Sequence, residues 1–199
     1  MSEAAITEKP WRLFVAALLT DANRRALSGT ISQLASVTPG VNPSRIDAIH
    51  LTLHFLGSVE VERVEALSRG LDEAVTPFTR FQVDVMGVGA FPSLSRPRVL
   101  WAGVGGPKRE RLVEIQQATG NALRNAGLVV EARAYAPHLT LARVRTMAGA
   151  GNRTAIARWA AEWKDAAFGA LPIKAVHLMR SDLSERPPRY SSVRSFPLQ

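Results

Sequence analysis

Two periodicities alternate along the chain. Leu13-Phe-Val-Ala-Ala-Leu-Leu19 is a short continuous apolar run, the signature of a buried strand. Leu27, Ile31 and Leu34 then recur at i, i+4 and i+7, predicting a helix that starts near Thr20 or Asp21. From His50 the pattern switches to period 2. Leu51, Leu53 and Phe55 fall on one side of an extended segment and His50, Thr52 and His54 on the other, as far as Gly57. Val64, Leu67 and Leu71 stripe a second helix, and Phe81-Gln-Val-Asp-Val85 alternates as a strand.

The same order then recurs. Val99-Leu-Trp-Ala-Gly-Val104 reads as a strand, and Gly105-Gly-Pro107 breaks it. Leu112, Ile115, Ala122 and Leu123 mark a helix that Gly127 stops. A second alternating strand begins at His138, behind Pro137. Ile156, Trp159, Ala160 and Trp163 mark a fourth helix, and Val176–Arg180 and Tyr190–Phe196 close the chain as strands. This succession predicts an α+β duplication in which helices cover one side of two mostly antiparallel sheets and a groove lies between them. Gly and Pro cluster at Thr38–Pro43, Phe91–Pro97 and Met147–Asn152, which are expected to be mobile loops at the groove mouth.

Composition sharpens this picture in three ways. A chain of 199 residues with 46% apolar content has enough material for one core. The formal net charge is +8, and of 25 cations only four are lysines, leaving 21 arginines whose planar forks suit a polyanionic partner. Solvated helix faces in an arginine-rich chain would give the same bias. There is no cysteine, so a disulfide framework and a thiolate metal site are both excluded. The polar start, Met1 to Pro10, has no leader-like apolar stretch, and no apolar run approaches a membrane span, so a soluble cytoplasmic protein is expected.

The chemistry lies in a repeated string. His50-Leu51-Thr52-Leu53 recurs as His138-Leu139-Thr140-Leu141, 88 residues later, in a chain with four histidines. On a strand each copy presents an imidazole and a hydroxyl on one face, roughly 7 Å apart. Imidazole exchanges a proton near neutral pH, and a threonine hydroxyl donates to a phosphate oxygen without adding charge. Two such pairs are the apparatus for in-line displacement at phosphorus, one ring as general base and the other as general acid. Each residue has a plainer reading, as a surface histidine or a threonine chosen for strand propensity; duplication is what argues against it.

The flanks of the two strings, His50-Leu-Thr-Leu-His-Phe-Leu-Gly57 and Pro137-His-Leu-Thr-Leu-Ala-Arg143, resemble the 2H phosphoesterase superfamily. More narrowly, the chain is similar to the RNA 2',3'-cyclic phosphodiesterases, the LigT-like or ThpR proteins formerly called 2'-5' RNA ligases. The likeness extends to Trp11–Ala17, to Phe91-Pro with Arg96–Trp101, and to Ser181-Asp-Leu with Arg189-Tyr190. It implies one domain over residues 1–199, built as two intertwined, pseudo-symmetric lobes. It also implies His50 as proton donor to the leaving ribose 3'-oxygen, His138 as the acceptor that activates water, and a 2'-phosphate product. Thr52 and Thr140 would hold the phosphate, with neither cofactor nor metal. The substrate would be an RNA with a 2',3'-cyclic end or a 2',3'-cyclic nucleotide, met by a monomer.

Other candidates are weaker. Arg143 is a candidate phosphate or nucleotide contact, yet strict alternation sends it to the core side unless the strand ends or bulges after Leu141. Phe91 is the favoured base-stacking platform, with Arg98 and Tyr190 as further contacts and Trp101 reading equally well as core. His54 shares a strand face with His50 about 13 Å away and reads as groove wall, and His177 reads as structural. Three rival functions remain open: the same groove run in reverse as a 2'-5' RNA ligase, a non-catalytic module that binds RNA ends, and action on a small cyclic nucleotide-like metabolite.

Overall fold

Residues 9–37, 40–145, 150–185 and 188–199 are described in a computed structural model of the chain. The elements are β1 (Trp11–Leu18), α1 (Asp21–Val37), β2 (Val41–Pro43), a 3₁₀ turn (Ile46–Ala48), β3 (His50–Val59), a second 3₁₀ turn (Val61–Arg63), α2 (Val64–Val75), β4 (Phe81–Phe91), β5 (Val99–Gly105), α3 (Arg109–Asn125), β6 (His138–Val144), α4 (Ala150–Trp163), β7 (Ala167–Ile173), β8 (Ala175–Asp182) and β9 (Arg189–Pro197).

The strands pair antiparallel in the order β7-β4-β5-β6-β3-β1-β8-β9, with β2 added beside β6. Two four-stranded halves meet where β6 touches β3 through one residue pair, Leu51 against Leu139. The halves correspond: β1-α1-β3 builds one and β5-α3-β6 the other. They also exchange parts, because β4 of the first pass pairs with β5, and β8 of the second pairs with β1. Helices α1 and α4 pack on each other and against β7 and β4, while α2 and α3 pair over β9 and β3. The α+β duplication with outer helices is therefore present, and the two sheets read from the sequence are continuous through a single bridge.

Local chemistry explains the element ends. Thr20 caps α1 by accepting from the Asn23 N–H at 3.2 Å. The buried Asn23 amide in turn donates to the Ala170 carbonyl in β7 at 3.0 Å, tying helix to sheet. Gly127, at φ 77°, ends α3, with its own N–H on the Arg124 carbonyl and that of Leu128 on the Leu123 carbonyl.

Two strands depart from the expectation. Residues 38 and 39 of the expected loop Thr38–Pro43 lie outside the described residues, but Val41–Pro43 is β2, paired with Val144, Arg143 and Ala142. Likewise 147–149 of the loop expected at Met147–Asn152 lie outside them, and α4 has begun by Ala150. Strand β7, Ala-Phe-Gly-Ala-Leu-Pro-Ile, lacks clean alternation and contains Pro172. It is tolerated because β7 is an edge strand, where a missing N–H is not missed.

Both repeats carry the same irregularity. Val15 pairs with His54 and Ala16 with Thr52, so Leu53 is an extra residue in β3; Leu100 pairs with Ala142 and Trp101 with Thr140, so Leu141 is extra in β6. Each is a β-bulge, and each inverts the alternation beyond it. His54 and Ala142 are thereby turned into the core, while Phe55 and Arg143 face out.

Candidate active site

The outer face at the joint of the two halves carries both strings. Leu51 and Leu139, the bridge pair, are fully buried beneath. One residue to either side, the register faces His50 with Thr140 and Thr52 with His138. Each imidazole therefore neighbours the hydroxyl of the other copy across the joint, in addition to its own along the strand.

The two rings are held alike. His50 Nδ1 lies 2.8 Å from the Ala48 carbonyl and His138 Nδ1 lies 2.7 Å from the Ala136 carbonyl. A carbonyl only accepts, so each ring keeps a proton on Nδ1 and leaves Nε2 for chemistry. Their surroundings differ. The His50 ring stacks on Phe14 at 4.6 Å and meets the edge of Tyr190 at 5.3 Å, whereas His138 meets Phe91 edge-on at 4.9 Å. Burial pushes the His50 pKa below its ordinary 6.5, against the opposing pull of the Ala48 carbonyl.

A cleft of about 560 Å³ opens beside this face. His50, Thr52 and Thr140 line it, with Arg143 and Phe55 brought in by the two bulges and Tyr190 from β9. Asn42 to Arg45, Ala48, Ile49 and Pro188 form the remaining wall. His138 stands two residues from Thr140 on the same strand face, outside the lining of the concavity. Arg143 thus reaches the site because the strand bulges at Leu141.

Several sequence expectations are corrected. Phe55 was expected in the core with Leu51 and Leu53; it is 65% exposed in the cleft, at the place in its copy that Arg143 holds in the other. His54 was expected on the groove wall; it is 5% exposed, with Nε2 2.8 Å from the Gln116 carbonyl and 3.1 Å from the Thr119 hydroxyl of α3. Phe91 lies against His138 and Trp101 and does not line the cleft. Arg98 is exposed outside the cleft lining, and its main chain bonds Phe91 and Val144.

One contributor was not foreseen. Tyr135 donates from its hydroxyl to the Thr52 carbonyl at 2.9 Å, joining the lead-in of β6 to β3. Its signal in the sequence was only an aromatic three residues before His138. Among the described residues no three His, Asp or Glu side chains converge as a metal donor set, and no helix is long and apolar enough to cross a membrane.

An RNA 2',3'-cyclic phosphodiesterase of Aeropyrum pernix is 35% identical to the chain over 144 residues, covering 72% of this chain and 78% of the relative. One of Archaeoglobus fulgidus is 29% identical over 185 residues, 93% and 99% of the two chains. Among solved structures, the TT0787 protein of Thermus thermophilus superposes with a TM-score of 0.75 at 27% identity over 94% of this chain and 97% of that one. Escherichia coli LigT complexed with 3'-AMP shares the fold, with a TM-score of 0.74 at 24% identity over 96% of this chain and 99% of the other. A family model described as LigT like Phosphoesterase matches residues 19–101 and 104–189, nearly the whole of both repeats, and the chain belongs to that family.

Proposed function

We propose that the chain hydrolyses RNA 2',3'-cyclic phosphodiester ends to 2'-phosphomonoesters, with two histidines and no metal. The reading is carried by the matched tethers of the two imidazoles. Each has Nδ1 committed to a carbonyl two residues upstream, which leaves a pair of Nε2 atoms for two proton transfers.

In this reading His138 accepts a proton from water as its oxygen attacks phosphorus. His50 delivers a proton to the ribose 3'-oxygen as the P–O3' bond breaks, and the 2'-oxygen keeps the phosphate. Thr52 and Thr140 donate to the non-bridging oxygens, and Arg143 offsets their charge. The cyclic ester is strained, so orientation and proton transfer suffice. Burial disfavours the charged form of His50 in the free cleft, and the phosphate's negative charge favours it, so the acid is armed by its substrate. Phe55 and Tyr190, exposed in the cleft on the His50 side, suit the terminal base. The names of the curated relatives support the substrate class.

The test is to incubate the protein and a chelator with a 2',3'-cyclic nucleotide and with an RNA ending in one, and to identify the phosphate isomer formed. A 2'-phosphate from both substrates is expected. A 3'-phosphate, dependence on added metal, or tight RNA binding without turnover would each overturn the proposal.

A further inference from the structure

A second concavity, of about 420 Å³, opens on the sheet face that carries His138. Its position follows from register. Gly103 pairs with His138 and Met86 with Gly103, so His138, Gly103 and Met86 form one row across β6, β5 and β4. Asp84 and Gln82 continue the same face along β4, opposite Ala170 and Pro172 of β7. At an interstrand spacing of about 4.8 Å and a rise of about 3.3 Å per residue, this groove lies roughly 12 to 20 Å from His138. Gly103 adds no side chain to this row, the Trp101 ring lies beside it, and Met86, 51% exposed, is an apolar surface on which a base can rest.

The groove's chemistry suits a polyanion. Arg80, Lys108 and Lys174 line it, all exposed, and they include two of the chain's four lysines. The 17-residue helix α3 begins at its edge with Lys108 at the N-cap; the Arg109 and Arg111 N–H groups donate to the Gly106 and Lys108 carbonyls, and the positive dipole end of the helix adds to the cations. Gly106, at φ 88°, lies so close to the Asp84 carboxylate that any Cβ there would collide with it. Asp84 is the one acid in the lining, and it matches the hydroxyl and base donors of RNA.

We propose that this groove is a second RNA subsite, for the chain whose 5'-hydroxyl enters on the nucleophile side of phosphorus. The assignment rests on the function proposed above, in which His138 serves the nucleophile. There a 5'-hydroxyl can replace water: its oxygen bonds to phosphorus, its proton passes to His138, and the P–O3' bond breaks with O3' taking the proton of His50. The cyclic ester supplies the driving force, and a 2'-5' linkage results. The incoming strand then runs from His138 over Gly103 and Met86 into the cations.

The test uses a short fluorescent oligoribonucleotide with hydroxyls at both ends, bound to the full chain while a saturating nucleoside 2'-phosphate fills the cleft. Lys108→Glu/Lys174→Glu is compared with Arg25→Glu/Arg158→Glu, an equal charge change on exposed positions of α1 and α4. Glu at the N-cap of α3 favours the helix, so lost binding is not lost structure. The groove variant is expected to bind about tenfold more weakly at low salt, with a log–log salt dependence shallower by about 1.4 for two lost contacts. Its hydrolysis of a 2',3'-cyclic mononucleotide is expected to be unchanged, and the α1/α4 variant is expected to bind as wild type does. Equal losses in both variants, unchanged affinity in the groove variant, or full displacement of the oligonucleotide by the 2'-phosphate would overturn the subsite. A raised KM for cyclic-ended RNA with unchanged binding of the 5'-hydroxyl strand would assign the groove to the other strand and overturn the proposal too. Failure of the underlying function would appear separately, as a wild-type protein that does not hydrolyse the mononucleotide.

Discussion

The hydroxyl of Tyr135 donates a 2.9 Å hydrogen bond to the main-chain carbonyl of Thr52, so the segment leading to one histidine holds the strand that bears the other. Burial raises the Tyr135 pKa far above 10, and the phenol stays a donor at every working pH. Tyr135→Phe keeps the ring and removes the donor. It is expected to cost about 1 kcal/mol of stability, measured by urea unfolding, and to lower kcat several-fold with KM little changed. Wild-type values for both would show that the bond does not set the spacing of the two strings.

His50→Ala and His138→Ala are each expected to lower kcat by about 10²- to 10⁴-fold while circular dichroism shows an unchanged fold. Because His50 supports Phe14 and Tyr190, His50→Gln is the companion that keeps more of the packing. Near wild-type turnover in both alanine variants would reject the acid–base pair.

The elements and the doubled string were legible because their periodicities are strong over Leu27–Leu34, Val64–Leu71 and His50–Leu53. The misplacement of His54 and Phe55 arose at a bulge. Alternation is read locally, whereas the extra residue at Leu53 is set by the pairing of β3 with β1, so nothing in the string itself foretells that His54 turns inward and Phe55 outward. Arg143 posed the same problem in the second copy, where its charge made the conflict with a core position visible. β2 and β7 were missed because three residues, or seven interrupted by Pro172, carry too little pattern. Tyr135 and the Asn42–Arg45 wall belong to the site through tertiary contacts that spacing along the chain does not encode.

The buried His54 packs closely on α3 at Gly120, where an added Cβ would lie 3.0 Å from the imidazole Cε1. Alanine in mid-helix should gain up to about 1 kcal/mol of propensity, yet Gly120→Ala is expected to destabilise by about 1 to 3 kcal/mol through overpacking. In a His54→Ala background the same change should be neutral or stabilising. A double-mutant cycle by denaturant unfolding measures this coupling, and additive effects would refute the contact.

Stability should fall on mild acidification. Burial lowers the pKa of His50, His54 and His177 below the 6.5 of an unfolded chain. His177 also has a buried Nδ1 without a hydrogen-bond partner among the described residues. Between the folded values and 6.5 the unfolded chain binds more protons than the folded one, so stability is complete above about pH 6.5 and is lost as the pH drops below it. Asp47 and Asp182, whose carboxyls are held below 3.8 by Arg45 and by Ser184, titrate outside this window. Urea unfolding at about pH 7.5 and about pH 5.5 should show a lower midpoint at the acid value, and His54→Gln/His177→Gln should flatten the difference. Equal midpoints for the wild-type protein would mean that these rings accept protons in the folded state as freely as in the unfolded one.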